Sequence, residues 1–341
     1  MNEWTAIIGG GIAGMEAASC LSQFGKKVVL IEKTNHLGGH VSQWDKLFPN
    51  TRPSSEVMDF VKNNLPSAVE VKLNTTVIDI KKEKDTFVIT LSNDEKIKVH
   101  ALLITTGYDV FNAALKEEYG YGIYDNVITS VELEEWFKEN KPILTKQGKE
   151  PSRIGFVHCV GSRDRKINNI YCSKVCCVTA VKQAIEVRQK LPFSEAYCFY
   201  MDLRMYGLSF EELYNESQEK YGVTFIRGRL SEAAETKDGK IIVKVEDTLL
   251  GRPMKMTMDL LVLMVGMTPS DGTSDMINRL HLDTNSSRFI ATVDEHTQTN
   301  ITSQKGVFVA GAASSPKSID DTFADARAAA LQVINYLNNL S

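Results

Sequence analysis

Four of the six cysteines lie close together in the middle of the chain, at Cys159, Cys172, Cys176 and Cys177. Cys172 and Cys176 are four residues apart, so their thiols share one face if a helix begins near Cys172. Cys177 joins the same site if the first helical turn wraps around it. Inside cells, clustered thiols of this kind bind metals or do redox chemistry more often than they form structural disulfides.

The surroundings of these thiols favour a thiolate-bound iron-sulfur cluster. The run 155–158 is typical of the end of a buried strand, from which Cys159 emerges before a turn at Gly161. An anionic cluster is stabilised at a helix N-terminus, where free N–H groups and the positive end of the helix dipole point outward. Cationic compensation comes from Arg163, Arg165 and Lys174. On spacing alone, a structural zinc site, a redox disulfide and packed core thiols remain open alternatives.

A glycine-rich turn near the N-terminus predicts a dinucleotide-binding βαβ unit. The strand 5–8 runs into Gly-Gly-Gly-Ile-Ala-Gly, a helix follows, and the strand 28–31 ends at Glu32. Glycines let the backbone approach a pyrophosphate, the helix N-terminus stabilises the phosphates, and the acidic residue accepts hydrogen bonds from the ribose. The predicted binding residues here are Gly9, Gly11, Ile12, Ala13, Gly14, Glu32 and Lys33. FAD and NAD share this fingerprint.

Later parts of the chain favour FAD. The segment 37–40 follows the second strand and carries paired glycines, which allow the chain to run against a flavin's pyrophosphate and ribityl group. The buried strand 307–311 ends in glycine, and the alanine-rich helix 320–340 is expected to point its N-terminus at the flavin ring. The further predicted FAD contacts are Gly38, Gly39, His40, Val77, Thr106, Gly107, Gly311, Ala312, Lys317 and Ile319.

Lys317 is the predicted catalytic residue. An ammonium close to the flavin ring stabilises reduced, anionic flavin, and the N-terminus of the following helix acts in the same direction. A solvated surface lysine is the alternative. Related flavoproteins have an aspartate after the C-terminal glycine where this chain has Ala312, so one hydrogen bond to the ribityl group must come from elsewhere or be lost.

The order of predicted elements indicates an α/β fold of the two-dinucleotide-binding-domain type, like that of thioredoxin and glutathione reductases. Residues 1–108 and 267–341 form the predicted FAD-binding domain, and residues 109–266 form an inserted Rossmann-like domain. Within the first domain, residues 69–80 and 86–91 are predicted as strands of one small sheet. The stretch 112–148 is predicted to be a connection with one polar helix.

The inserted domain is predicted to carry the iron-sulfur cluster in place of NAD(P)H. It begins with the strand 154–158, the helix 176–190 and the strand 195–201. The turn after its first strand, 159–163, lacks the GxGxxG glycines that bring backbone N–H groups onto a pyrophosphate. We therefore predict that NAD(P)H binding has been lost. Cys20 and Cys198 are predicted to be packed core thiols.

Composition limits the possible partners. The 341 residues are 43% hydrophobic, which is enough for sizeable cores, and the formal net charge is -4 without a basic stripe, so nucleic acid is not expected. Apolar runs such as 260–267 are far shorter than the roughly 20 residues of a membrane span, so no membrane insertion is expected. Because the glycine motif starts at Gly9 and belongs to the folded domain, no signal peptide is expected. The expected location is the cytoplasm.

Two motifs resemble those of the heterodisulfide reductase A subunit family. The first is Cys-Val-Gly-Ser-Arg at 159–163 with Tyr-Cys-Ser-Lys-Val-Cys-Cys at 171–177, and it resembles the family's cluster motif. The second is Gly311 with Pro-Lys-Ser-Ile-Asp-Asp-Thr at 316–322, and it resembles the family's C-terminal flavin motif. The resemblance covers essentially the whole chain. It implies FAD and a 4Fe-4S cluster with four cysteine ligands: Cys159, Cys172, Cys176 and Cys177.

The resemblance also implies a homodimer that works with B- and C-type electron-transfer subunits. Methanogen members carry further ferredoxin-like domains and cysteines, whereas 48–53 has no cysteine beside it, so the chain resembles the short core form found in sulfur-oxidising heterodisulfide-reductase-like complexes. The expected function is electron transfer between flavin and cluster, in sulfur-compound oxidation. The alternatives are an A-type subunit of the quinone-interacting oxidoreductase of sulfate reduction, an NAD(P)H-dependent flavin reductase, and a scaffold with structural zinc.

Overall fold

The computed structural model describes residues 3–340. The strands are β1 (Trp4–Ile8), β2 (Lys27–Ile31), β3 (Lys46–Leu47), β4 (Arg52–Pro53), β5 (Glu70–Lys72), β6 (Val77–Glu83), β7 (Thr86–Leu91), β8 (Lys96–Val99), β9 (Ala101–Ile104), β10 (Tyr108–Val110), β11 (Val127–Thr129), β12 (Arg153–Val160), β13 (Glu195–Tyr200), β14 (Thr224–Arg227), β15 (Leu230–Glu235), β16 (Ile241–Asp247), β17 (Arg252–Met258), β18 (Leu260–Val265), β19 (Met267–Pro269) and β20 (Val307–Val309). The helices are α1 (Ile12–Gln23), α2 (Ser54–Asn64), α3 (Ser130–Lys138), α4 (Cys176–Lys190), α5 (Phe210–Glu219), α6 (Asp271–Leu280) and α7 (Ile319–Asn338). Within residues 3–340, no helix has both the length and the apolar character needed to cross a membrane.

The chain divides into two compact units, neither of which is continuous in sequence. The first unit contains the residues up to Gln43, Ser54–Asp109 and the residues from Thr268 onward. The second contains Trp44–Pro53 and Val110–Met267. The short stretch Trp44–Pro53 is therefore an excursion into the second unit by a chain that is otherwise building the first.

The first unit is built on a five-stranded parallel sheet with the order β20-β9-β1-β2-β5. Apart from the edge strand β5, its strands are mostly apolar, and buried residues of β6, β7 and β8 pack against the sheet. Strands β6, β7 and β8 form a separate antiparallel sheet. The prediction of one strand over 69–80 is wrong: β5 joins the parallel sheet and β6 the antiparallel one. Between them Asn74 adopts a left-handed conformation with φ 49°, which turns the chain.

The second unit has its own five-stranded parallel sheet, with the order β11-β18-β12-β13-β14. A three-stranded antiparallel sheet of β15, β16 and β17 accompanies it. The predicted connection 112–148 therefore contains more than a helix. Its strand β11 pairs with β18 at the edge of the sheet, and all three of its residues are buried. Both units confirm the predicted α/β fold class.

The same topology recurs at the centre of each parallel sheet. Strand β1 lies between β9 and β2, and strand β12 lies between β18 and β13. In each case the central strand is followed by a helix. The strand order extends from the central strand toward both edges of the sheet, one neighbour lying on each side of it. Ligands of open α/β sheets bind at the carboxyl ends of the strands at such points. The glycine turn after β1 and the cysteine turn after β12 therefore occupy equivalent places, each in its own unit.

A buried charge network fixes helix α4 in the second unit. The Lys182 ammonium lies 2.6 and 2.7 Å from the two carboxylate oxygens of Glu134 on α3, and 2.8 Å from Glu186 one turn further along α4. The side-chain amide of Gln183 donates to Glu134 and to the carbonyl oxygen of Ser130. Lys182 and its two acidic partners are all at most 5% exposed. Such groups are tolerated in a core only when they are paired.

The same network anchors the excursion Trp44–Pro53. The backbone N–H of Asp45 donates to Glu134 at 3.1 Å, and Lys46 lies 3.6 Å from Glu186. The ring of Phe48 meets that of Phe210 on α5 edge to face at 5.9 Å. Helix α4, whose first residues are two of the predicted cluster ligands, is thereby tied to a segment that follows directly after the predicted flavin loop.

The substitution Lys182→Met tests how much this network contributes. It leaves the buried Glu134 without its cation and Glu186 with only the more distant Lys46, and breaking a buried ion pair in this way costs about 3–5 kcal/mol. We expect a clearly lower urea midpoint, followed by circular dichroism. Lys220→Met is the matched control, because it breaks an exposed pair with Glu216 on α5 and should leave the midpoint almost unchanged. Equal urea midpoints for the two variants would show that the buried network around Lys182 does not stabilise the fold more than an exposed ion pair does.

Candidate functional site

The glycines of the first turn divide into two kinds. A Cβ atom on Gly14 would collide with the carbonyl oxygen of Gly9, so this position needs glycine for close packing of α1 against the turn. A Cβ atom on Gly11 would meet no heavy atom of the described chain within 4 Å. Gly11 is the N-cap of α1, whose first N–H groups have no acceptor within the helix. The open face of the turn is therefore the place where a phosphate can approach the backbone.

The second glycine pair lies directly beside the first turn. The Gly38 N–H donates to the Gly10 carbonyl oxygen at 2.8 Å, and a Cβ on Gly39 would lie 3.2 Å from the Gly11 Cα. His40 follows in a short 3-10 turn and stacks on Tyr108, with ring centroids 4.3 Å apart. The structure thus brings together these two predicted glycine segments from separate parts of the sequence.

Glu32 is bonded to the glycine turn itself. One carboxylate oxygen accepts from the Gly10 N–H at 2.6 Å, and the other accepts from the backbone N–H and hydroxyl of Thr34 at 2.8 and 2.9 Å. Glu32 is buried, whereas the neighbouring Lys33 is exposed. Glu32 is predicted to accept a hydrogen bond from a ribose hydroxyl. That bond would either add to the hydrogen bonds that Glu32 already accepts in the turn or replace one of them.

The end of β9 is held by a helix that sequence reasoning missed. The Ser270 hydroxyl donates to the Thr106 carbonyl oxygen at 3.0 Å, and the Thr273 hydroxyl donates to that of Gly107 at 3.1 Å. Ser270 also caps α6 by accepting from the Thr273 N–H. A serine three residues before a threonine at a helix start was the available signal. Val77, the other predicted contact in this region, is buried at the start of β6.

The C-terminal predicted contacts form one compact turn. Gly311 and Ala312 begin a short 3-10 turn, and a Cβ on Gly311 would lie 2.9 Å from the Cβ of Ala13 at the start of α1. Helix α7 then begins at Ile319, after a capping box between Ser318 and Asp321. Two helix N-termini and two glycine segments thus meet within the first unit. This arrangement fits a dinucleotide whose pyrophosphate lies at α1.

Lys317 is not a freely solvated lysine. Its ammonium lies 3.1 Å from the Gly311 carbonyl oxygen, 2.6 Å from the Ser314 hydroxyl and 3.1 Å from the Ser315 hydroxyl. It also pairs with Asp325 on α7 at 3.4 Å, and its side chain is 15% exposed. The cation is therefore held against the turn that carries Gly311 and Ala312.

In the second unit, three of the four predicted cluster cysteines are buried together. Cys159 lies at the end of β12 in a left-handed conformation with φ 61°, and Cys176 and Cys177 are the first residues of α4. The sulfurs of Cys159 and Cys176 are 3.8 Å apart, well beyond a disulfide bond of about 2.05 Å. The Cys177 thiol lies 3.7 Å from the Asp202 carbonyl oxygen. Cys172 is only half-buried, and its sulfur accepts from the Lys174 N–H at 3.4 Å.

The electrostatics favour anionic sulfur at Cys159 and Cys177 and oppose it at Cys176. Hydrogen bonding to Cys176 lowers the pKa of Cys159 and of Cys177, whereas the same contacts and burial raise the pKa of Cys176. Burial opposes a charge on His158, but the Cys177 and Cys198 sulfurs raise its pKa to about 10. Thiolates rather than thiols are the ligands of metals and clusters.

The loop between Cys159 and Cys172 is fixed by a buried aspartate that sequence reasoning did not identify. Asp164 is 2% exposed and accepts from Lys116 at 2.6 Å and from Arg229 at 2.7 Å. Burial alone would raise the pKa of Asp164, but Lys116 and Arg229 lower it below its usual value. Arg163, one of the predicted compensating cations, is paired with Asp202 at 2.7 Å. Lys116 and Arg229 are too far away in sequence for this contact to be predicted.

The four predicted ligands do not close around one point. Within residues 3–340 no group of three or more histidine, cysteine or acidic side chains is arranged to hold a metal ion. The chemistry of the donor set suits a thiolate-bound cluster, because the thiols are buried and lie at a helix N-terminus. Their present arrangement does not show one, and the cluster remains a prediction.

The heterodisulfide reductase A resemblance is confirmed by comparison with known proteins. The chain is 34% identical to the iron-sulfur A subunit of the CoB–CoM heterodisulfide reductase of Methanocaldococcus jannaschii, over 96% of this chain and 63% of that protein. It is 31% identical to the A subunit of the H(2):CoB-CoM heterodisulfide,ferredoxin reductase of Methanothermobacter marburgensis, over 95% of this chain and 62% of that protein. The chain thus spans slightly less than two thirds of the length of these relatives.

Solved structures confirm the fold. The thioredoxin reductase of T. acidophilum matches with a TM-score of 0.68 and 19% identity, over 99% of this chain and 98% of that chain. The Lactococcus lactis thioredoxin reductase matches with a TM-score of 0.69 and 19% identity, over 99% of both chains.

The family profile leaves one internal stretch of this chain unmatched. The profile of the pyridine nucleotide-disulphide oxidoreductases matches residues 4–150 and 195–331. The intervening residues contain β12, all four clustered cysteines and α4. The matched parts support FAD as the dinucleotide of the first unit. The chain is an oxidoreductase and belongs to the pyridine nucleotide-disulphide oxidoreductase family.

Proposed function

We propose that this chain is the FAD- and iron-sulfur-containing electron-transfer subunit of a heterodisulfide reductase-like complex. The observation that carries the proposal is the replacement of a nucleotide-binding turn by buried thiols. The turn after β1 has its open glycine at Gly11, whereas the equivalent turn after β12 has Cys159 and leads to Cys176 and Cys177 at the start of α4. One unit is built for a dinucleotide, and the other presents sulfur where a second dinucleotide would bind.

In the first unit the protein's part is to bind and orient FAD. The backbone at Gly11 and Gly39 and the N-terminus of α1 receive the pyrophosphate, and Glu32 is close enough to the turn to accept from the ribose. The turn at Gly311 and the N-terminus of α7 form the other end of the site. When bound, FAD supplies electron exchange in pairs and a 4Fe-4S cluster supplies exchange of single electrons.

In the second unit we assign Cys159, Cys172, Cys176 and Cys177 as cluster ligands. The thiolate character of Cys159 and Cys177 and the burial of three of the four residues support this assignment. Cys172 has to move from its contact with Lys174 for all four sulfurs to share one cluster. The half-buried position of Cys172, on the loop before α4, is suited to such a movement.

Lys317 is the residue that we assign to flavin tuning. Its ammonium is fixed to the Gly311 turn, so its charge is held in one place instead of moving with solvent. A fixed positive charge beside the ring favours the anionic reduced flavin, and no reorganisation is needed at the moment of transfer.

The setting of the proposal comes from the relatives. Their names identify them as the A subunits of heterodisulfide reductases, and we propose a homodimer with B- and C-type electron-transfer subunits as partners. We further propose a cytoplasmic complex that works in sulfur-compound oxidation, similar to the short core form. Direct membrane insertion and nucleic-acid binding are not part of the proposal.

The glycines of the first turn provide a test of FAD binding. Gly11→Ala adds a methyl group to open space in the free protein, so we expect folding stability within about 1 kcal/mol of the parent but at least roughly tenfold weaker FAD binding. Gly14→Ala is the control for packing. It should lose folding stability, because its methyl group collides with the Gly9 carbonyl oxygen. The measurements are the FAD affinity and the thermal unfolding of the two variants. An unchanged FAD affinity in Gly11→Ala would exclude the phosphate site at the open face of this turn.

Anaerobic purification followed by iron, sulfide and zinc analysis tests the cluster. We expect about four iron and four sulfide per chain, the content of a 4Fe-4S cluster. Cys176→Ser should lose most of this iron, while Cys20→Ser, which changes a thiol of the first unit, should keep it. Stoichiometric zinc with no iron would instead establish the structural zinc scaffold.

Reduction by nicotinamide nucleotides tests the loss of the second dinucleotide site. NADH or NADPH alone should leave the absorbance of bound flavin unchanged, because the turn after β12 lacks the glycines that admit a pyrophosphate. Dithionite serves as the control and should bleach the flavin. Rapid bleaching by NADPH would favour the flavin reductase.

A further inference from the structure

Asp325 is the carboxylate that holds the C-terminal flavin turn together. It lies on α7, and one of its oxygens accepts from the Gly311 N–H at 2.8 Å. The other accepts from the side-chain amide of Asn300 at 2.8 Å. The first oxygen is also 3.4 Å from the Lys317 ammonium. One side chain therefore connects the glycine at the start of the turn with the cation near its end.

The position of this pair makes its charge important. The side chains of Lys317 and Asp325 are only 15% and 10% exposed, so water screens them less than it screens a surface pair. The carboxylates of the first turn of α7 have another role, since Asp320 and Asp321 both bond to the Ser318 hydroxyl. Asp325 is thus a carboxylate within ion-pair distance of Lys317, and it offsets part of the charge of that lysine.

Asp325 supplies a carboxylate to a turn that has none of its own. Ala312, like the other residues of 311–317, has no acidic side chain. Asp325 delivers a carboxylate to the adjacent residue, Gly311, from the helix side instead. A negative charge is therefore retained at the turn, although it comes from a residue thirteen positions further along the sequence than Ala312.

We propose that Asp325 is a positioning residue that partly neutralises Lys317 and so sets the reduction potential of the flavin. This inference rests on the proposed function, because it requires FAD beside the Gly311 turn. Lys317 alone favours reduced, anionic flavin, and Asp325 limits that effect. The potential of the flavin then depends on the pair and not on the lysine alone.

A double-mutant cycle on the flavin midpoint potential tests this pairing. Asp325→Asn keeps the size of the side chain but removes its charge, so the loss of this negative charge beside Lys317 should shift the potential upward. Lys317→Met leaves the carboxylate uncompensated and should shift the potential downward. The double variant should have nearly the same potential as Lys317→Met, because Asp325 acts on the flavin through Lys317. A double variant whose shift equals the sum of the two single shifts would overturn the proposal, since the two charges would then act on the flavin independently.

The control is an ion pair on the same helix. Arg327→Gln removes a positive charge, as Lys317→Met does, but its partner is Glu16 on α1 at 2.6 Å. It should leave the potential near that of the parent protein, and a shift as large as that of Lys317→Met would show a general charge effect and count against the pair. Asp325→Glu keeps the negative charge and should shift the potential less than Asp325→Asn. If Asp325→Asn does not fold, Asp325→Glu is compared with the parent protein instead. A flavin potential of Asp325→Glu well above that of the parent would then count against the pair.

The stability of the flavin-free protein separates the two levels of the proposal. If the parent chain binds no FAD, the proposed function fails. The coupling between Lys317 and Asp325 is still measured by the free energies of unfolding of the parent, Asp325→Asn, Lys317→Met and the double variant. Coupling requires that the double variant lose less stability than the sum of the two single losses. Strictly additive losses would show that Lys317 and Asp325 do not act as a pair.

Discussion

Both parallel sheets depend on one geometric constraint. A central strand leads into a helix at the point where its neighbours diverge, directly after β1 and through the loop 161–175 after β12, and the helix N-terminus then leaves backbone N–H groups without partners within the helix. The first unit meets this constraint with glycines and an open face at Gly11. The second meets it with Cys159, whose left-handed conformation is unusual for a residue with a side chain. The same backbone requirement thus supports two kinds of chemistry.

The cysteine turn needs more support than the glycine turn because its side chains must be held as well as its backbone. Asp164, with Lys116 and Arg229, fixes the loop that precedes α4. Further along α4, Lys182 lies between Glu134 and Glu186. The helix that starts with two thiols is therefore restrained by buried charges on both sides of those thiols. Removing a buried partner from such networks is costly, which is why they resist displacement.

The sequence predicts elements well where the pattern of apolar residues is strong. Helix α4 begins at Cys176 and ends at Lys190 as predicted, and β18 matches the apolar run Leu260–Val265. Helix α6 was missed because it is short and polar, and only its buried Thr273, Met276 and Leu280 mark its packed face. Strand β11 was missed because three residues are too few for an alternating pattern to be seen.

The site residues follow the same rule. Glycine segments are readable from sequence because each works through its own backbone, and the structure brings Gly11 and Gly39 together. Residues that act through a distant partner are not readable. Asp325 reaches Gly311 across a loop and a helix turn, and Asp164 meets Arg229 from another strand connection. The shared site predicted for the four cysteines depends on such long-range positioning, and the described residues do not bring all four sulfurs around one point.

The discontinuous make-up of the first unit has a consequence for its biosynthesis. Strand β9 pairs with β20, and α1 packs against α7, so the unit is assembled from segments separated by most of the chain. The excursion Trp44–Pro53 adds an earlier crossing, because its partners on α3 and α4 are translated later. A ribosome-bound chain that ends before β20 has no partner for that side of β9. The edge of β9 is then open to pairing with other chains until β20 is translated.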